Sequence, residues 1–312
     1  MKTLLLILTA GILAFFTSAQ SVILPRTTPS HASRMRDIWR TSQWKIEDET
    51  LFREYVEPQT TLGEECVEWL SILKPLAEKM AEGGKTPFEA ATLINRRISK
   101  TVGVVYSTRR DKANQDPLHS MRIGMASCSG LSILLVDCCR SIGIPARIVG
   151  CFWRKKPGNH SWVEVWSGGE WYTIGAFEDF PPEKVWFKND AANADGNDPR
   201  YAIYATRATL RPDGLFFIGW NVPADNVTER YTRNFSPAGQ GVRVHIAAER
   251  GGKRIELPFT VNGKRYRTPG PLRDLNDYTT LTLPEGTTFK VEIGGKCFTH
   301  RAKADAIYIE RL

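Results

Sequence analysis

Hydrophobic positions fall into three regimes along the chain. From residue 30 to about 85, apolar residues recur at helical intervals within charge-rich segments, as in 63–73, and Gly83-Gly84 closes that region. Thr86-Pro87-Phe88-Glu89 then supplies an N-cap, a first-turn proline and a capping-box glutamate. The helix it opens is expected to run through Leu93, Ile94 and Ile98. Val102 to Tyr106 reads as a short extended segment, and residues 107–124, without periodicity, as a loop. The run Leu131 to Arg140 is helical in spacing, and Gly143 followed by Ile144-Pro145 ends it.

Beyond residue 146 the period changes from helical to two. Ala146 to Phe152 and His160 to Trp166 read as strands, and Ser167-Gly168-Gly169-Glu170 as a tight hairpin into Trp171-Tyr172-Thr173-Ile174. A two-residue loop pairs Trp166 with Trp171 and, continued, His160 with Phe177. One face then carries His160, Trp162, Glu164 and Trp166 against Trp171, Thr173, Gly175 and Phe177. Asn189 to Pro199 is a polar loop. From Val242 onward short strands recur at 242–246, 278–283, 289–293 and 306–309, with turns at Asn262-Gly263 and Gly294-Gly295, the pattern of a β-sandwich.

Lys2, the apolar stretch Leu4 to Phe16 and the small residues Thr17-Ser18-Ala19 form a signal peptide over 1–19, which implies export to a periplasmic or extracellular space. No later run is long enough to cross a membrane. The formal net charge of +8 is dispersed, which suits solubility and argues against nucleic acid as a partner. Six cysteines are few for a disulfide scaffold, and with Cys128 free at most two bridges remain. Cys138 shares a stripe with Leu131, Leu134, Leu135 and Ile142 and is expected to be an inert buried thiol. The five histidines are scattered without CxxC or HxxxH spacing, so no metal and no cofactor is expected.

The chemistry concentrates at Cys128, directly before the apolar helix. A thiol at a helix N-terminus feels exposed N–H groups and the positive end of the dipole, both of which favour thiolate. His160 opens the following strand pair, and a cysteine with a histidine are the parts of a thiol acyl-transfer enzyme. The Cys128 N–H is one donor for an oxyanion, and Tyr106 is a candidate for another. Trp153, Trp162 and Trp166 are candidates for a substrate groove.

Four ordered blocks carry a resemblance: Ala126 to Leu131, Arg140 to Arg147, Asn159 to Trp166, and Gly169-Glu170-Trp171. Together they resemble the transglutaminase-like superfamily, whose core is related to papain-type proteases, over roughly residues 86–187. The resemblance implies a papain-like core with a nucleophile helix on an antiparallel sheet (86–200), and with the flanks read from their periodicity the chain is expected to be α+β: a helical N-terminal region (20–85), that core, a linker (201–240) and a β-sandwich (241–312). It implies Cys128 as nucleophile, His160 as base and, by analogy with papain-type enzymes, Gln115 as a second oxyanion donor. The family's third member is an aspartate four residues after the tryptophan that matches Trp171, and here that position is Gly175. Peptide N-glycanase-like relatives carry a glutamate just beyond, which favours Glu178. Strict alternation puts Glu178 on the wrong face and Asp179 on the right one, although strands often bend near active sites. Glu164 is a third option, with a structural role expected.

The resemblance implies a secreted enzyme that attacks protein or peptide amides through a Cys thioester. Hydrolysis is preferred over cross-linking, because nothing in the sequence marks an amine site or a calcium cluster. The alternative is a catalytically weak or inactive binding protein of the cell envelope. A thiol tolerates loss of the orienting carboxylate better than a hydroxyl would.

Overall fold

A computed structural model describes residues 22–178, 185–211, 216–217, 220–232, 242–270, 277–304 and 306–312. Four helices precede the core: Pro29–Thr41, Glu49–Tyr55, Leu70–Ala81 and Pro87–Val102. The last begins as its sequence dictates, with the Thr86 hydroxyl accepting from Glu89 N at 3.1 Å, although the Glu89 carboxylate reaches back to Lys85 N rather than to the cap. Residues 63–69, expected as helix, are not helical. There Glu64 folds back to accept from the N–H groups of Thr61 and Leu62 at 2.7 Å each, and buried Trp69 donates to the Gln59 carbonyl.

The expected loop 107–124 contains a helix, Pro117–Ile123. Asp116 caps it by accepting from His119 N, proline occupies its first turn, and Gly124 ends it in the left-handed region. The extended segment shrinks to Val105–Tyr106, parallel to Met125–Ala126.

Every residue of the helix Cys128–Ser141, which opens on the candidate nucleophile, is buried. Apolar residues cover most of its surface, and its one guanidinium, Arg140, is spent on carbonyls. Arg140 donates to the oxygens of Tyr55, Pro58 and Ala146 and to the Thr61 hydroxyl. Gly130 lets the first turn press against its neighbours, since a Cβ there would lie 2.9 Å from that of Ala126.

The helix packs on a six-stranded antiparallel sheet in the order 170–174, 159–167, 146–152, 204–206, 222–226, 216–217. The hairpin register is as expected from Ser167–Glu170 through Trp166–Trp171, with Gly168 and Gly169 both at positive φ. Pairing stops at Val163–Ile174, so the expected His160–Phe177 pair does not form. Residues 201–240, expected as a linker, instead lend the strands Tyr204–Thr206 and Val222–Asn226 to this sheet. Past residue 242, two four-stranded sheets enclose a separate core around Ile246, Phe259, Val291 and Ile293. Tight turns at Asn262-Gly263 and Gly294-Gly295 fall where the sequence places them.

Candidate active site

Cys128 is the first residue of its helix, 7 % exposed, at the floor of a cleft of about 340 Å³. Ser127 makes no capping hydrogen bond with its side chain, so the cap does not consume the first amides of the helix. His160 comes from the neighbouring strand Asn159–Ser167 and is buried on the same cleft.

The third wall is formed by the turn after Ile174. Asn95, on the helix Pro87–Val102, donates from Nδ2 to the carbonyls of Gly175 (2.9 Å) and Glu178 (3.0 Å) and accepts at Oδ1 from Phe177 N (2.7 Å). Phe177 takes φ 62°, a left-handed conformation uncommon for a bulky residue. The chain therefore leaves the strand and folds Glu178 back toward the cleft. Its carboxylate Oε1 lies 3.6 Å from His160 Nε2, an ion-pair distance, and accepts from Trp186 Nε1 at 2.6 Å.

Gly175 is what makes this possible. A Cβ at that position would lie 2.1 Å from Glu178 Oε2 and 2.7 Å from its Cδ. The carboxylate of residue 178 occupies the space in which a side chain at 175 would begin.

The electrostatics of the His160 ring follow from burial and two neighbours. Burial pushes its pKa down, but the nearby Cys128 sulfur and the Glu178 carboxylate more than offset this, raising it to about 9. Glu178 sits on the Nε2 side of the ring. Around the ring stand Trp153, Trp162, Trp186 and Phe187, with centroids 6.1, 6.1, 4.8 and 4.8 Å away.

Residues 74–176 match the family model of the transglutaminase-like superfamily. This segment is a transglutaminase-like core. Solved structures that the chain resembles include a candidate cysteine protease from Cytophaga hutchinsonii, at 21 % identity over 38 % of this chain and 42 % of that one (TM-score 0.32). A candidate protease from Parabacteroides distasonis shows 10 % identity over 78 % and 41 % (TM-score 0.33). Red sea bream transglutaminase shows 10 % over 87 % and 66 % (TM-score 0.38). The chain thus spans less than half the length of the first two. No curated protein matches it.

At the transglutaminase-like core, the structure brings Cys128 and His160 together with Glu178, just past the matched segment, and places Tyr106 on the cleft rim, 54 % exposed. Asp179 lies outside the described residues. Gln115 is not part of the cleft lining: it is fully buried, and its Nε2 donates to the Met125 carbonyl at 3.0 Å. Trp153 and Trp162, expected to line a groove, are 3 % and 0 % exposed and form core beside His160 with Phe187 and Ala205. Trp162 Nε1 donates to the Tyr231 hydroxyl, which in turn donates to Glu164. Glu164, fully buried, also holds Arg147 and Arg230 and so plays its expected structural part. All six cysteines are free thiols, and Cys138 is buried with its pKa pushed well up by desolvation.

Two site residues escaped sequence reasoning. Trp186 belongs to Val185-Trp186-Phe187, an apolar triplet between Pro181-Pro182 and the polar stretch Asn189–Pro199, which was a readable signal; that stretch, expected as a loop, begins inside a short helix, Lys188–Ala191. Asn95 is a polar residue on the buried stripe of its own helix beside Ala91, Ile94 and Ile98.

Proposed function

We propose that this chain is an exported cysteine-dependent acyl-transfer enzyme that hydrolyses amides of proteins or peptides. The observation that carries this reading is the alignment of Cys128, His160 and Glu178 in one cleft, with His160 raised to about 9. At neutral pH the ring is an imidazolium, the form that stabilises a thiolate and can release a proton.

The Cys128 thiolate attacks the amide carbonyl carbon, and the negative charge moves to its oxygen. The Cys128 N–H, unspent by its cap, faces that oxyanion from the helix tip. His160 gives a ring proton to the leaving amine as the C–N bond breaks, leaving a thioester and a neutral ring. That ring then takes a proton from water, which attacks the thioester and releases the acid and the thiolate. Glu178 keeps the ring oriented and offsets its charge while protonated. Cross-linking would differ only in an amine replacing the water.

The test is labelling by iodoacetamide at pH 6, read residue by residue by mass spectrometry. Cys128 is expected to react faster than exposed Cys297, despite its burial. Release of peptide or ammonia, with and without an added amine, separates hydrolysis from cross-linking. A wild-type Cys128 that labels more slowly than Cys297, or a Cys128→Ala variant with undiminished turnover, would sink the proposal.

A further inference from the structure

We propose that Arg243, on the first strand of the C-terminal β-sandwich, is a positioning residue for this site, holding Trp186 and through it the Glu178 carboxylate on His160. The inference rests on the reading of Cys128, His160 and Glu178 as the reacting set.

Trp186 is 40 % exposed, yet it is the hydrogen-bond donor to Glu178 and packs on the His160 ring. An indole at a cleft rim needs support on its other side to keep one orientation. Two cations supply it: Lys156 Nζ lies 5.7 Å from the ring centroid and Arg243 Cζ 5.4 Å. Both converge on the buried carboxylate of Asp190, Lys156 at 2.9 Å and Arg243 in direct contact. Lys156 and Asp190 belong to the sequence around the catalytic sheet. Arg243 comes from the strand Val242–Arg250, in the other hydrophobic core. A second tie runs from Arg109, just past the rim residue Tyr106, to Glu256 of the β-sandwich at 3.9 Å.

The β-sandwich therefore touches the segments on both sides of the cleft. Without Arg243, Asp190 keeps Lys156 but Trp186 loses one of its two cations. The indole is then freer to turn, and Glu178 Oε1 loses its N–H donor. Among the described residues, the charged and titratable groups that face this wall are Cys128, His160, Glu178, Lys156, Asp190 and Arg243.

The experiment uses the full-length protein. Hydrogen exchange of the Trp186 indole N–H, assigned by its loss in Trp186→Phe, reads the wall directly. Alkylation of Cys128 by iodoacetamide at pH 6 reads its effect on the site. In Arg243→Ala, indole exchange is expected to rise and alkylation to slow about two- to fivefold, the factor one cation–aromatic contact confers. Arg243→Lys should recover most of both. On a Glu178→Gln background, Arg243→Ala should slow alkylation no further. Arg254→Ala, which removes a β-sandwich arginine paired instead with Glu249 and Tyr278, should change neither reading.

Unchanged indole exchange in Arg243→Ala, a further loss in the double variant, or an equal loss in Arg254→Ala overturns the proposal. A faster-exchanging indole with unaltered alkylation overturns it too, because the wall would then not reach the thiol. Slow alkylation of wild-type Cys128 would instead remove the catalytic reading, and the exchange measurement would still decide whether Arg243 holds Trp186.

Discussion

Gly175→Ala separates the Glu178 carboxylate from the stability of the fold. The added Cβ would lie 2.1 Å from Glu178 Oε2 and 2.7 Å from Cδ, so the carboxylate must leave its place. What moves is the far end of a side chain, and the backbone at 175 is outside the left-handed region, so alanine fits it without strain. The cost falls on two contacts: the 2.6 Å bond from Trp186, worth about 1.5–3 kcal/mol for a charged acceptor, and the 3.6 Å approach to His160. Losing an opposite charge at that range lowers a histidine pKa by roughly 1–3 units. His160, held at about 9 in the parent, is then expected to titrate well below it. The sign for stability follows: a raised histidine stabilises fully below its unfolded pKa and loses that contribution as pH rises through about 9. The parent should therefore weaken across that window, and Gly175→Ala should weaken less. The assay is NMR titration of the His160 ring with chemical denaturation at several pH values. Glu178→Gln should match the variant, and Gly175→Asp combined with Glu178→Gln should restore part of the elevation. An unshifted His160 in Gly175→Ala would refute the steric argument.

Two further outcomes follow from buried polar groups. Asn95→Ala deletes three hydrogen bonds that hold the 175–178 turn, which at about 1 kcal/mol each predicts a loss of about 3 kcal/mol in urea denaturation, with slower alkylation of Cys128 at pH 6. Asp137 is fully buried in the nucleophile helix with neither carboxylate oxygen hydrogen-bonded, and burial pushes its pKa well up despite Arg140 nearby. A carboxyl raised in the folded state costs stability above its unfolded pKa. Asp137→Asn should therefore be more stable than the parent at pH 7, by about 1–3 kcal/mol, with the gain vanishing near pH 4. An equal gain at both pH values would show that ionisation is not the cause.

What was legible in the sequence is what local chemistry decides. The nucleophile helix is bounded by Cys128 and Gly143, and the hairpin register is set by Gly168-Gly169, so both read correctly. Helix Pro117–Ile123 was readable from Asp116-Pro117 but is too short to show a period. The tryptophans misled because a strand pair inside a larger sheet is covered on both faces. Phe187 and Tyr231, from later in the chain, bury Trp162, and no hairpin pattern shows that. Gln115 is a related case: its amide donates to the Met125 carbonyl in its own vicinity, a contact that no spacing shows.

The third member is the instructive case, because alternation and analogy disagreed over it. Alternation assumes that the strand continues, and under that assumption Glu178 points away from His160. The strand ends at Ile174 because Asn95, 80 residues earlier, captures the Gly175 carbonyl and the Phe177 amide. Once the chain turns there, a carboxylate three residues late reaches the place left empty by the missing side chain at 175. Glycine at 175 and glutamate at 178 are thus one feature and not two, since each excludes the alternative to the other. An aspartate at 175 would sit on a strand and need little else to hold it. Glu178 is held by a helix asparagine, by an exposed indole and, through that indole, by a cation from the β-sandwich. Moving the carboxylate three residues makes its position depend on parts of the chain that an aspartate on the strand would not have needed.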